Sequence, residues 1–231
     1  MLILGIESAT EQIGVAIGGH EGVIASFHVT RGKRHAEILT PAVEFVCRQA
    51  DIELADLGCI AVDIGPGLFT GMRVGLAAAK ALAQALRLPM IGITSLDLLA
   101  FPCRHTDRLV VPVIDARKAE VFWAMYRQVP GGVQQVSPPT VTPVDDLVGE
   151  LLARSQDALV VGDGAARYRD EILDGYHCEI SGPEHPDAGA LVQLAHARAL
   201  REEWVRPAEI EAVYLRAPDA MINWSTREAR A

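Results

Sequence analysis

The sequence predicts an α/β fold built from two tandem β-β-β-α-β-α halves, and three observations carry that prediction. The apolar run Leu2–Ile6 ends on Glu7 with the polar turn Ser8-Ala-Thr-Glu-Gln12 behind it, and Leu109–Ile114 ends on Asp115 with the turn Ala116-Arg-Lys-Ala119 behind it. A shift of 108 residues carries one acid onto the other. Short β-branched runs then give way to longer helical patterns in both parts of the chain. The composition agrees: 50% hydrophobic, only 5% aromatic, with 20 glycines, as in soluble α/β proteins and unlike disordered or fibrous chains.

In the first half, strands are expected at Leu2–Ile6, Ile13–Ile17 and Val23–Val29, the last two joined by the hairpin loop Gly18–Gly22. Arg31-Gly-Lys-Arg-His35 leads into a helix through about Ala50, which Pro41 either kinks or nearly starts. A buried strand, Cys59–Ile64, precedes the turn Gly65-Pro66-Gly67, where glycine accepts unusual backbone angles and proline fixes its own. Thr70 is placed to cap the helix that follows, over 71–87. A glycine-rich turn into a helix N-terminus also suits an anion, although most such turns only connect a strand to a helix. Strand Met90–Ile93 and a short helix to Ala100 close this half, with the boundary at Phe101–Asp107.

The second half repeats the order. Strands are expected at Leu109–Ile114, Glu120–Tyr126 and, across the Gly131-Gly132 hairpin, Val133–Val136. Helix 143–153, strand Ala158–Val161, helix 164–174 and a long helix from Asp187 to Trp204 follow. The expected organisation is therefore an N-terminal half over 1–104, a smaller C-terminal half over 105–217 and a polar tail over 218–231.

Helix 71–87 stands out because its strongly polar side chains, Arg73, Lys80, Gln84 and Arg87, share one arc of about 60° at 100° per residue. Gly71, Gly75 and Ala78 lie opposite, where they let the backbone approach its own sheet. A neighbouring helix of the chain can cover one apolar flank, and a partner subunit is expected on the other. The preceding helix shows the same imbalance, its charges Glu37, Glu44 and Arg48 confined to one side. His35, Leu39, Val43, Met72, Leu76, Ala79 and Ala83 are the candidates for a partner interface.

A net charge of −9 argues against gripping a nucleic-acid backbone alone, since that depends on Lys and Arg displacing counterions. Cys47, Cys59, Cys103 and Cys178 are far apart in apolar contexts and read as reduced core thiols. The N-terminus lacks the basic lead of a signal peptide and no apolar run is long enough to span a bilayer, so a cytoplasmic protein is expected. No Gly-x-Ser-x-Gly elbow suggests a serine hydrolase.

Two such halves with acidic turns face to face resemble the actin, Hsp70 and sugar-kinase (ASKHA) superfamily, which builds a nucleotide cleft that way. Within it, Ile3-Leu-Gly-Ile-Glu-Ser-Ala-Thr10, Gly65-Pro-Gly-Leu-Phe-Thr-Gly-Met-Arg-Val-Gly75, Asp115-Ala-Arg-Lys-Ala-Glu-Val-Phe122 and Val213-Tyr-Leu-Arg216 together resemble the TsaB (YeaZ) family. The resemblance runs from residue 2 to about 216, its four anchors in order. It implies a non-catalytic scaffold subunit of the complex that makes threonylcarbamoyladenosine on tRNA beside the anticodon. The implied partners are the homologous threonylcarbamoyltransferase subunit, the complex's ATPase subunit, a second copy of this chain when alone, and tRNA only through the complex, with no membrane. Metal-dependent relatives carry two histidines four apart on a helix, whereas here His35 is followed by Leu39. Kinases of the superfamily open with Asp and a glycine-containing turn, whereas this chain has Glu7 and Ser-Ala-Thr. No cofactor is expected to be required. Weak ATP or ADP binding with Glu7, Thr10 and Asp115 as contributors stays open beside the reading in which Glu7 and Asp115 only pin their turns. The alternative function is a small-molecule ATP-dependent kinase of the same superfamily.

Overall fold

A computed structural model describes residues 1–30 and 35–216, with the side chain of His35 also outside the description. The lead-in Arg31–Arg34, the interface candidate His35 as a side chain, and the polar tail lie outside these residues. The first half contains β1 (Leu2–Glu7), β2 (Gln12–Gly19), β3 (Gly22–Thr30), α1 (His35–Ala50), β4 (Leu57–Asp63), α2 (Phe69–Leu86), β5 (Met90–Ile93) and α3 (Ser95–Ala100). Its sheet has the order β3-β2-β1-β4-β5. β1 pairs antiparallel with β2, Leu4 opposite Ile17, and parallel with β4, Leu4 opposite Ile60.

The second half contains β6 (Leu109–Arg117), β7 (Glu120–Trp123), β8 (Tyr126–Val129), β9 (Gly132–Gln135), β10 (Thr140–Pro143), α4 (Val144–Arg154), β11 (Ala158–Val161), α5 (Asp163–Arg167), α6 (Arg169–Gly175), β12 (Glu179–Ile180) and α7 (Ala188–Ala199). Its path β10-β7-β6-β11-β12 repeats the first sheet's order, so the duplication holds at the level of topology. Two expectations are corrected. The strand expected over 120–126 is split, and 126–135 forms an inserted hairpin, β8–β9, hung on β6. The third strand of the repeat is instead β10, paired with β7. The helix expected to reach Trp204 stops at Ala199, where the chain turns with Glu202 at φ 59° and bridges Val205 to Met90.

In the first half α1 and α2 lie side by side on one sheet face, burying Leu4, Ile6, Val15, Ile17, Ile60 and Val62. The opposite face is covered by α7 through Leu191, Val192 and Ala195, although α7 belongs by sequence to the second half. The second sheet mirrors this. α4 and α6 cover one face, and Leu96, Leu99 and Ala100 of α3 and its end pack on the other against Val110, Ile114 and Tyr126. Each half thus lends the other the helix that follows its fifth strand. Among the described residues no helix is long and apolar enough to cross a membrane.

Candidate functional site

The first acidic turn is sealed by the chain itself. Glu7, fully buried at the end of β1, accepts a hydrogen bond from Ala9 N at 2.8 Å, while its other carboxylate oxygen has no partner among the described residues. Burial, and next the nearby Asp63, push its carboxyl well above the ordinary range. Asp63 closes β4 and accepts from Gly65 N at 2.8 Å and from the Ser95 hydroxyl at 2.7 Å. Burial outweighs those bonds and raises it to about 7. The loop after β4 then crosses the turn. Leu68 N donates to the Ala9 carbonyl at 2.6 Å, and a Cβ on Gly67 would overlap that same carbonyl. The Ser8 hydroxyl donates to the Gly71 carbonyl at 2.9 Å, and only a glycine at 75 leaves room for it. Leu68 occupies the N-cap of α2, so Thr70 sits inside the first turn rather than capping it as expected.

The second turn is held differently. Asp115, almost wholly buried, accepts from Arg117 N at 2.9 Å and the Tyr168 hydroxyl at 3.2 Å, with Arg117 Nη1 at 3.1 Å and Arg167 Nε at 3.5 Å from its other oxygen. Its own N–H donates to Asp163, whose carboxyl burial raises to about 6. Arg117 also reaches Glu11 of the first turn at 2.7 Å, tying the halves together and holding the Glu11 carboxyl below its usual range. Between loop 66–69, turn 115–117 and the segment 213–216 lies a cleft of about 350 Å³. Of the three nucleotide candidates Asp115 alone lines it, whereas Glu7 and Thr10 are buried beneath the loop. Each acid accepts a backbone N–H of its own turn, Ala9 N for Glu7 and Arg117 N for Asp115.

The partner-interface candidates are largely misplaced. Leu39, Val43, Met72, Ala79 and Ala83 are buried within the chain, and Leu76 is half-buried against the same cluster. The reason is lateral packing: α1 and α2 fill each other's flanks, so the arc open to solvent is narrower than either helix suggests alone. The outward side of α2 carries Thr70, Arg73, Ala77, Ala81, Gln84 and Ala85, and that of α1 carries Pro41, Glu44, Phe45 and Arg48. At the start of α2 the Arg73 guanidinium stacks on Phe69, its Cζ 3.7 Å from the ring centroid, and its Nε donates to the Tyr214 hydroxyl at 3.0 Å. Phe69 and Arg73 are legible in sequence as an i,i+4 pair. Tyr214, 141 positions away, is not.

The family model described as "TsaD: tRNA N6-adenosine threonylcarbamoyltransferase" matches residues 28–224. The tRNA threonylcarbamoyladenosine biosynthesis protein TsaB of Bacillus subtilis is 32% identical over 225 residues, 93% of this chain and 98% of that protein. The chain belongs to the TsaB (YeaZ) family. TsaB of Escherichia coli is 31% identical over 74% of each chain. YeaZ from Pseudomonas aeruginosa superposes with a TM-score of 0.79 at 26% identity, covering 93% of this chain and 99% of that one. A second Pseudomonas aeruginosa structure, described as an uncharacterized protein with similarity to peptidase YeaZ, gives 0.83 at 27% identity over the same shares. The family fold is the duplicated one seen in the two sheets. Cys47 and Cys59 are buried, and burial pushes the Cys59 thiol up to about 12, the wrong direction for a nucleophile.

Proposed function

We propose that this chain is the docking subunit of the complex that forms threonylcarbamoyladenosine on tRNA, and that it brings no catalytic group of its own. The observation that carries this reading is the sealed first turn. Where a kinase of this fold needs an open acidic hairpin for phosphate and Mg²⁺, residues 65–68 lie across Ala9, with Glu7 fully buried. The kinase alternative therefore lacks its working end, and ATP or ADP meets at most the cleft beside Asp115. Docking is supported by the outward side of α1 and α2, where Phe45, Ala77, Ala81 and Ala85 face solvent. The TsaD-type transferase subunit, homologous through the shared family model, is the partner for that face. The complex's ATPase subunit completes the assembly in the cytoplasm, a second copy of this chain takes the face when the transferase is absent, and tRNA is reached only through the complex.

Size-exclusion chromatography with light scattering tests the reading. Wild type is expected to co-elute with the TsaD-type subunit, and Ala81→Glu, which sets a charge in the middle of the α2 face, to elute alone. A variant that still co-elutes, or a wild type that binds Mg·ATP at micromolar concentration and turns over a small substrate unaided, overturns it.

A further inference from the structure

One cation on the outward side of α2 is fixed in place with no counter-charge among the described residues. Arg73 lies on Phe69, is tied through Nε to the Tyr214 hydroxyl, and has the Tyr214 ring 5.7 Å from its Cζ. The two rings are 5.6 Å apart, and at 38% and 45% exposure they form a cradle at the surface. Among the described residues Arg73 pairs with no carboxylate, and although other arginines such as Arg87 also pair with none, Arg73 is the one held by both a ring stack on Phe69 and an Nε bond to Tyr214. Its two terminal nitrogens have no hydrogen-bond partner among those residues, and α2 itself contains no Asp or Glu.

We propose that Arg73 is the charged anchor of the docking face and takes a carboxylate presented by the partner subunit, received end-on by Nη1 and Nη2 between Phe69 and Tyr214. This rests on the docking reading and names the chemistry the partner must supply. The guanidinium fork matches a carboxylate in two parallel hydrogen bonds. Stacking on Phe69 and the bond to Tyr214 have already removed much of its rotamer freedom, so little is lost on binding. An RNA phosphate would fit the same fork. Two features favour protein: the neighbours along the helix, Val74, Ala77 and Ala81, are apolar, and the net charge of −9 opposes a polyanion. A second copy's α2 offers Arg73 and Lys80 and no acid, which leaves Glu44 of its α1 as the carboxylate on this face that could reach the fork. An α2-to-α2 contact between copies therefore leaves the fork unfilled, whereas a partner with a carboxylate opposite α2 fills it.

Titration calorimetry of the full chain against the TsaD-type subunit decides it, with wild type, Arg73→Gln, Arg73→Lys and Ala81→Glu compared, and sedimentation of each variant alone. Arg73→Gln is expected to weaken heterologous binding on the order of 30-fold or more, with self-association and the melting curve unchanged. Arg73→Lys recovers little of the loss, because an ammonium is a point charge and cannot make the paired contact. If Arg73→Gln binds like wild type while Ala81→Glu does not bind, the anchor is wrong and the docking face stands. If wild type itself does not bind, the docking reading fails. Equal loss of self-association would place the carboxylate on a second copy and overturn the proposal. So would weaker retention of tRNA by the assembled complex at unchanged subunit affinity, which would assign Arg73 to a phosphate.

Discussion

Replacing Gly67 by alanine sets a methyl group against the carbonyl of Ala9, a backbone atom that no rotamer change can move aside. The loop must retreat, and the 2.6 Å hydrogen bond from Leu68 N to that carbonyl lengthens or breaks. Ala9 is fully buried, so water cannot replace the lost donor. Overpacking against rigid structure costs about 1–3 kcal/mol. Leaving a buried carbonyl unsatisfied costs roughly 1–3 kcal/mol more. The expected destabilisation is therefore about 2–6 kcal/mol, which at about 2–4 °C per kcal/mol in a chain of this size lowers the melting temperature by roughly 4–24 °C. Gly132→Ala is the control: nothing lies within 4 Å of its added Cβ, and it should stay within about 0.5 kcal/mol of wild type. Thermal and urea unfolding followed by circular dichroism measure both. A Gly67→Ala protein melting within about 2 °C of wild type would show that the loop yields freely, and the sealed turn would lose its physical basis.

Asp63, raised by burial to about 7, holds its proton more tightly in the folded chain than in the unfolded one. Its contribution is thus complete below the ordinary carboxylate range and is lost as pH climbs through about 7, at no more than about 1.4 kcal/mol per pH unit. Urea midpoints should fall between pH 5.5 and 8 in wild type and fall less in Asp63→Asn, since Glu7 is shifted in the same direction and keeps part of the slope. Parallel pH profiles for the two proteins would count against that assignment. Leu191→Ala in α7, fully buried against the first sheet, should cost about 2–5 kcal/mol and leave a single urea transition. A second transition would mean that the halves come apart separately.

The repeat was legible because β1 and β6 each end on an acid that its own turn needs, Glu7 for Ala9 N and Asp115 for Arg117 N. The third strand of the second half was not, since Thr140–Pro143 follows two prolines and reads as loop, while β8–β9 offers a better hairpin pattern nearby. Of the polar arc Arg73, Lys80, Gln84 and Arg87, three residues are exposed and Lys80 is half-buried, so the arc marked one edge of the outward side of α2. The flanks misled, because periodicity within one helix does not reveal that α1 lies alongside. The start of α2 followed tertiary structure over local preference: Leu68 is tethered to Ala9, and the helix begins before Thr70 can cap it. Asp63 and Asp163 carry no sequence signal of their own, as their shifted protonation comes wholly from burial.

The exchange of α3 and α7 between the halves constrains how the polypeptide can be made. A nascent chain that has emerged as far as Ile93 holds all five strands of its first sheet, with α1 and α2 on one side. The other side stays bare until Ala188–Ala199 leaves the ribosome, and the second sheet in turn needs α3 from the segment already synthesised. Cutting the chain at the junction would give two fragments, each with an apolar sheet surface that only the other can cover. Neither part is finished before the whole is.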